Sequence, residues 1–131
     1  SILSNFMHKY ENRLEELVKL FFKYSFKRNV RPDWLINPKT GRKLELDLYS
    51  EEGRVAFELN SKYHYMTEYN FDLKYRKYLD RLKKEITKQR GVRLAIIETA
   101  TLSKSLINNK KGFSYYLMQT GLFKLKDGYF W

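Results

Sequence analysis

Residues 43–60 read KLELDLYSEEGRVAFELN, and this stretch decides the fold. Two short segments, Lys43 to Tyr49 and Arg54 to Asn60, alternate apolar and polar residues with the period of two that marks β-strands. Ser50-Glu51-Glu52-Gly53 joins them at hairpin length, with Gly53 free to take a positive φ. Leu46, Leu48, Val55, Phe57 and Leu59 then form one apolar face. Glu45, Asp47 and Tyr49 share the other face on the first strand. Glu58 and Asn60 share it on the second, and Lys62 and His64 continue it if the strand runs on.

Outward from the hairpin the periodicity changes. Over residues 6–28, Leu14, Leu17, Val18, Phe21 and Phe22 recur at three- and four-residue steps, which predicts a helix with one buried stripe. Glu11 and Glu15 sit on the edge of that stripe. Arg31-Pro32-Asp33-Trp34 ends the helical run, because proline disfavours helical geometry in the residue before it. Asn37-Pro38-Lys39-Thr40-Gly41 is a turn by composition. Residues 71–89 predict a charged helix burying Leu73, Tyr75, Leu79, Leu82 and Ile86, with Gly91 placed to end it. Val92 to Glu98 has the apolar content of a central strand. Ser114 to Thr120 predicts another helix, and the tail FKLKDGYFW a closing strand. The order implies an α/β fold, a small mixed β-sheet flanked by helices.

The chain has 131 residues, 43% of them hydrophobic, enough for one module with a real core and no internal repeat. Its start at Ser1 leads us to expect a fragment of a longer protein. With 26 Lys and Arg against 15 Asp and Glu, the net charge of +11 points to a polyanionic partner, nucleic acid before anionic membrane. Cysteine is absent, which excludes disulfides and thiolate zinc sites and suits a reducing cytoplasm. No secretory signal and no apolar run of about 20 residues is visible, so neither secretion nor a membrane partner is expected.

The chemistry lies on the polar face of the hairpin. Pairing across the four-residue connection brings Asp47 and Glu58 to adjacent positions. Two carboxylates held together repel unless a cation lies between them, and carboxylate oxygens are the ligands Mg2+ prefers. A divalent metal so held can neutralise a scissile phosphate and promote in-line attack by water. His64 has the titration range of a general base or of a donor to transition-state charge.

LELDLYSEEGRVAFELNSKYHY, residues 44–65, resembles the core of the PD-(D/E)XK, or restriction-endonuclease-like, nuclease superfamily. Within it the chain is most similar to the branch of very-short-patch repair endonucleases and phage or intron-encoded homing endonucleases. Glu45-Leu46-Asp47-Leu48-Tyr49, Ala56-Phe57-Glu58-Leu59-Asn60 and Tyr63-His64 carry the likeness, which spans about residues 10–98. The resemblance implies a restriction-endonuclease-like core and a Mg2+- or Mn2+-dependent DNA endonuclease. Asp47 becomes its principal metal ligand and Glu58 the second acidic position, with His64 as the histidine after the second strand. A first-helix glutamate completes such a set, here Glu11 or Glu15, and a later helix adds Asp80 in preference to Asp72. The superfamily's lysine would fall at Asn60, so Lys62, Lys84 or His64 would take its place. Pro32-Asp33 looks like the literal "PD" but precedes the strand and reads as a turn.

Arg42, Arg54, Asn60, Lys62 and Tyr63 are the expected contacts to double-stranded DNA, chiefly to phosphates. Sequence reading is assigned to a further DNA-recognition domain or to a homodimer. A homing endonuclease of a bacterial or phage-infected cell is the leading expectation. The repair branch is disfavoured by the missing cysteines. A non-catalytic nucleic-acid-binding module is the alternative from another class.

Overall fold

The structure is a computed structural model that describes residues 2–60, 70–104 and 108–131. The chain runs α1 (Ile2–Phe21), β1 (Lys27–Val30), β2 (Leu46–Ser50), β3 (Val55–Asn60), α2 (Asn70–Arg90), β4 (Arg93–Glu98), α3 (Thr99–Leu102), α4 (Lys110–Gln119), β5 (Leu125–Lys126) and β6 (Tyr129–Phe130). The first four strands form one sheet in the order β1-β2-β3-β4. β1, β2 and β3 pair antiparallel, and β4 lies parallel to β3 with Asn60 opposite Glu98. The sheet is therefore mixed and flanked by helices, as the sequence implies.

Alternation along β3 splits the core in two. Val55, Phe57 and Leu59 pack with Leu14, Leu17, Val18 and Phe21 of α1 and with Phe113 and Leu117 of α4. Ala56 faces the other way, toward Tyr49, Leu82 and Val92, with Tyr78, Leu79 and Ile86 of α2 against them. The hairpin is thus buried on both faces, and any polar group on it must find a partner inside the protein.

Four expectations change. The first helix stops at Phe21, and Lys27 and Arg28, the end of the expected helix, open the edge strand β1. The cause is a switch of period: Phe22, Tyr24 and Phe26 alternate, and Phe22 packs its ring on Tyr24, Phe26, Phe57, Phe123 and Phe130. The C-terminal tail does not join the sheet. Asp127 and Gly128 both take positive φ, the geometry of a tight hairpin turn, and the resulting β5–β6 hairpin seals the aromatic core through Phe123 and Phe130. The last helix begins four residues earlier than its apolar pattern suggests, where the Asn109 side chain accepts a hydrogen bond from Gly112 N at 2.8 Å.

The fourth change concerns the hairpin turn. Positive φ falls on Arg54, at 53°, and not on Gly53. Gly53 is required for another reason: a Cβ there would lie 2.1 Å from Cε2 of Tyr24. Gly53→Ala is expected to cost about 1–3 kcal/mol through overpacking, read as a lower denaturation midpoint. In a Tyr24→Ala background the same change should cost little, because the clash is gone. Equal costs in both backgrounds would show that the ring contact is not the cause.

Candidate active site

The β2–β3 ladder pairs Ser50 with Val55, Tyr49 with Ala56 and Leu48 with Phe57. One step further along that register sets Asp47 opposite Glu58. Here the ladder ends, and the Leu59 N–H donates 2.8 Å to Oδ2 of Asp47 instead of to a backbone carbonyl. The Asp47 carboxylate therefore sits where a main-chain acceptor would be, anchored by the strand it faces. The Asp47 and Glu58 carboxyl groups are within hydrogen-bonding reach of each other.

The third member comes from α2. Lys83 Nζ donates to Oε1 of Glu58 at 3.2 Å, and the two side chains are only 17% and 13% exposed. Lys83 lies four residues after Leu79 and three before Ile86, both packed against the second core cluster. It occupies the buried stripe of α2 rather than its solvent face. That position was legible in the sequence, where a lysine interrupts an apolar stripe. Charge matching to the superfamily pattern directs attention to Lys62 and Lys84 instead.

Desolvation drives the Glu58 carboxyl well above the usual carboxylate range, and the adjacent Asp47 charge pushes the same way, while Lys83 opposes both. Glu58 therefore holds its proton more tightly than an exposed carboxyl would. A hard divalent cation is the other way to relieve the repulsion. Two oxygen-donor carboxylates converging from neighbouring strands fit Mg2+ or Mn2+. Among the described residues no group of three or more acidic, histidine or cysteine side chains converges.

Other predicted residues fall in distinct places. Asn60 donates its side-chain amide to Glu98 Oε1 at 3.1 Å, across the parallel β3–β4 pair. Asp80 is half-buried on α2, and Lys84 is exposed; both line an open cleft with Asn60 and Glu98. Lys83, not Lys84, is the cation at the carboxylate pair. Glu11 and Glu15 are both engaged by Arg28, at 2.7 and 3.9 Å. Arg28 stands opposite Leu48, whose side chain belongs to the core under α1, so this cluster faces α1. Arg54 sits in the hairpin turn, four residues or about 13 Å of strand from Glu58. Arg42 is exposed in the turn closed by Asn37 N donating to its carbonyl at 2.9 Å. Asp33 is bonded to Lys43 on the surface, as expected for a turn. His64, Lys62 and Tyr63 lie outside the described residues, as do Tyr65 and Tyr69. Glu98 escaped the sequence reading because its role depends on which residue of β3 lies beside it.

Compared with known proteins, the chain matches no family model, no curated protein and no solved structure.

The raised Glu58 carboxyl makes stability depend on pH. A carboxyl that holds its proton more tightly folded than unfolded contributes stability below the unfolded value, and loses it as pH rises toward the folded one. Without divalent metal, the melting temperature should fall as pH climbs from the ordinary glutamate range through the raised range of Glu58. Glu58→Gln should flatten that dependence and melt higher than the parent at neutral pH. A Gln variant with the parent's full pH profile would locate the titrating group elsewhere.

Proposed function

We propose that this protein is a metal-dependent DNA endonuclease with a restriction-endonuclease-like core, and that it acts as a homing endonuclease. The observation that carries the reading is the Asp47–Glu58 pair on the buried face of the hairpin, with Lys83 Nζ 3.2 Å from Glu58. A structural ion pair needs one carboxylate for one lysine. Two carboxylates pressed together where solvation is poor cost stability, and such an arrangement is typical of functional sites. The pair also stands toward the carboxyl end of β3, beside its parallel partner β4, where open α/β sheets commonly take ligands. The net charge of +11 favours a polyanionic substrate.

In this reading Asp47 and Glu58 hold the metal ion, which supplies charge neutralisation at a phosphodiester. Leu59 N fixes the rotamer of Asp47 through its 2.8 Å hydrogen bond. Lys83 holds Glu58 in place and adds a positive charge facing the substrate phosphate, the service the superfamily's lysine performs. Asn60, tied to Glu98, stands where that lysine would otherwise fall. The resemblance assigns His64 to the proton transfer.

Supercoiled plasmid incubated with Mg2+ or Mn2+ tests this. Relaxed or linear product is expected from the parent. Asp47→Ala and His64→Ala should each lower the rate about a hundredfold or more, since losing a metal ligand or a general base removes several kcal/mol of transition-state stabilisation. Lys83→Met should lower the rate while leaving DNA binding close to that of the parent. DNA binding with no cleavage under any divalent metal would identify a binding module in place of an enzyme.

A further inference from the structure

The outer face of α2 carries a run of cations that the carboxylate site does not use. Lys74, Lys77, Arg81, Lys84 and Lys88 follow one another at steps of three, four, three and four residues. At 3.6 residues per turn these positions fall within about 80° of arc. All five are exposed, and they lie opposite Leu82, Ile86 and Thr87, which face inward. Asp80 and Glu85 flank the stripe, yet among the described residues none of the five cations is in an ion pair. The stripe spans 14 residues, about 21 Å of helix.

Topology gives the stripe a direction. α2 connects the parallel strands β3 and β4, so it runs back against them, and its Lys83 stands at Glu58. The first turns of α2 therefore extend beyond the carboxyl edge of the sheet. Lys77, Arg81 and Lys84 line the cleft that also contains Asn60, Asp80, Ile96 and Glu98, three cations against two carboxylates. On the strand, Ile96 is the direct neighbour of Glu58.

We infer that this stripe is the backbone-binding rail for duplex DNA: it grips consecutive phosphates of one strand and leads them across the carboxylate site. About 21 Å corresponds to about six phosphates along one strand at 3.4 Å of duplex axis each. Cations spaced by helical turns along a straight rod match a regular polyanion, and they hold it without reading its sequence. The inference rests on the nuclease reading for its partner and for the meaning of the path, but its binding test is independent of cleavage.

The probe is a labelled duplex of arbitrary sequence, about three helical turns long. Binding is measured by fluorescence anisotropy in EDTA, on the Asp47→Asn protein, across a range of salt. Lys77→Gln, Arg81→Gln and Lys84→Gln combined should lower the slope of log affinity against log salt by about 2.7, for three lost phosphate contacts. Between 50 and 200 mM salt, the affinity lost should then be about 40-fold smaller than for the parent. Lys110→Gln, Lys111→Gln and Lys124→Gln, exposed cations outside the stripe, should leave the slope unchanged. Lys77→Arg with Lys84→Arg should preserve it, which separates charge from fold. Equal effects of the two glutamine triples, or none from the first, would overturn the rail. So would tighter binding to vesicles of phosphatidylserine and phosphatidylcholine than to the duplex. A protein whose binding depends on the stripe but which cuts no DNA with any metal would retain the rail and remove the nuclease.

Discussion

The constraint on which the structure depends is the burial of a charged pair inside a hairpin covered on both faces. β2 and β3 lie between α1 with α4 on one side and α2 on the other. Asp47 and Glu58 in the middle of such a hairpin have little access to water. Asp47 is satisfied by displacing a ladder carbonyl and accepting from Leu59 N. Glu58 is satisfied by a lysine brought over it on a helix. The hydrogen bond from Leu59 N to Asp47 and the raised proton affinity of Glu58 both follow from placing two carboxylates there.

A second acidic cluster shows what distinguishes this pair. Arg28 serves Glu11 and Glu15 and also bonds Asn12 at 2.6 Å. There too two carboxylates lie close together, but Lys19 also pairs with Glu15 at 3.4 Å and His8 lies 3.6 Å from Glu11. Those groups retain more exposure, 18–29% of their side chains, and a guanidinium offers several donors in a fork. The repulsion is solvated and hydrogen-bonded away, leaving an ordinary anchor between α1 and β1. At Asp47 and Glu58 the single ammonium is a point charge bonded to one carboxylate, and water is largely excluded. More cations and more water therefore yield a settled contact on one face of the sheet, and a single buried ammonium leaves an unrelieved one on the other.

Much of this was legible in the chain. The alternation in residues 43–60 gives the hairpin, its two faces and the meeting of Asp47 with Glu58, because strand period and connection length leave little freedom. The charged helix and the VRLAIIE strand follow from their periodicities. What escaped depends on tertiary choices. The end of α1 hinges on Phe22, Tyr24 and Phe26 finding Phe57, Phe123 and Phe130, partners remote in sequence. The separate C-terminal hairpin was signalled by Asp127-Gly128, a turn pair that outweighs the apolar pattern of the tail. Lys83 needed the helix to be seen in place, since helical periodicity marks it as inward but says nothing of what it meets. The asparagine–glutamate contact between β3 and β4 needed the parallel register.

The division of labour along α2 joins these points. One side of the helix supplies Leu79, Leu82 and Ile86 to the core, and Lys83 on the edge of that side reaches the carboxylates. The opposite side carries exposed cations only a turn away from the same residue. A rigid helix fixes the distance between these two functions, whereas a loop would let them drift. Packing that seats Leu82 and Ile86 therefore also sets how far a polyanion, bound as proposed, would stand from Asp47 and Glu58. The core of this protein and the placement of its substrate are, on this reading, determined by the same contacts.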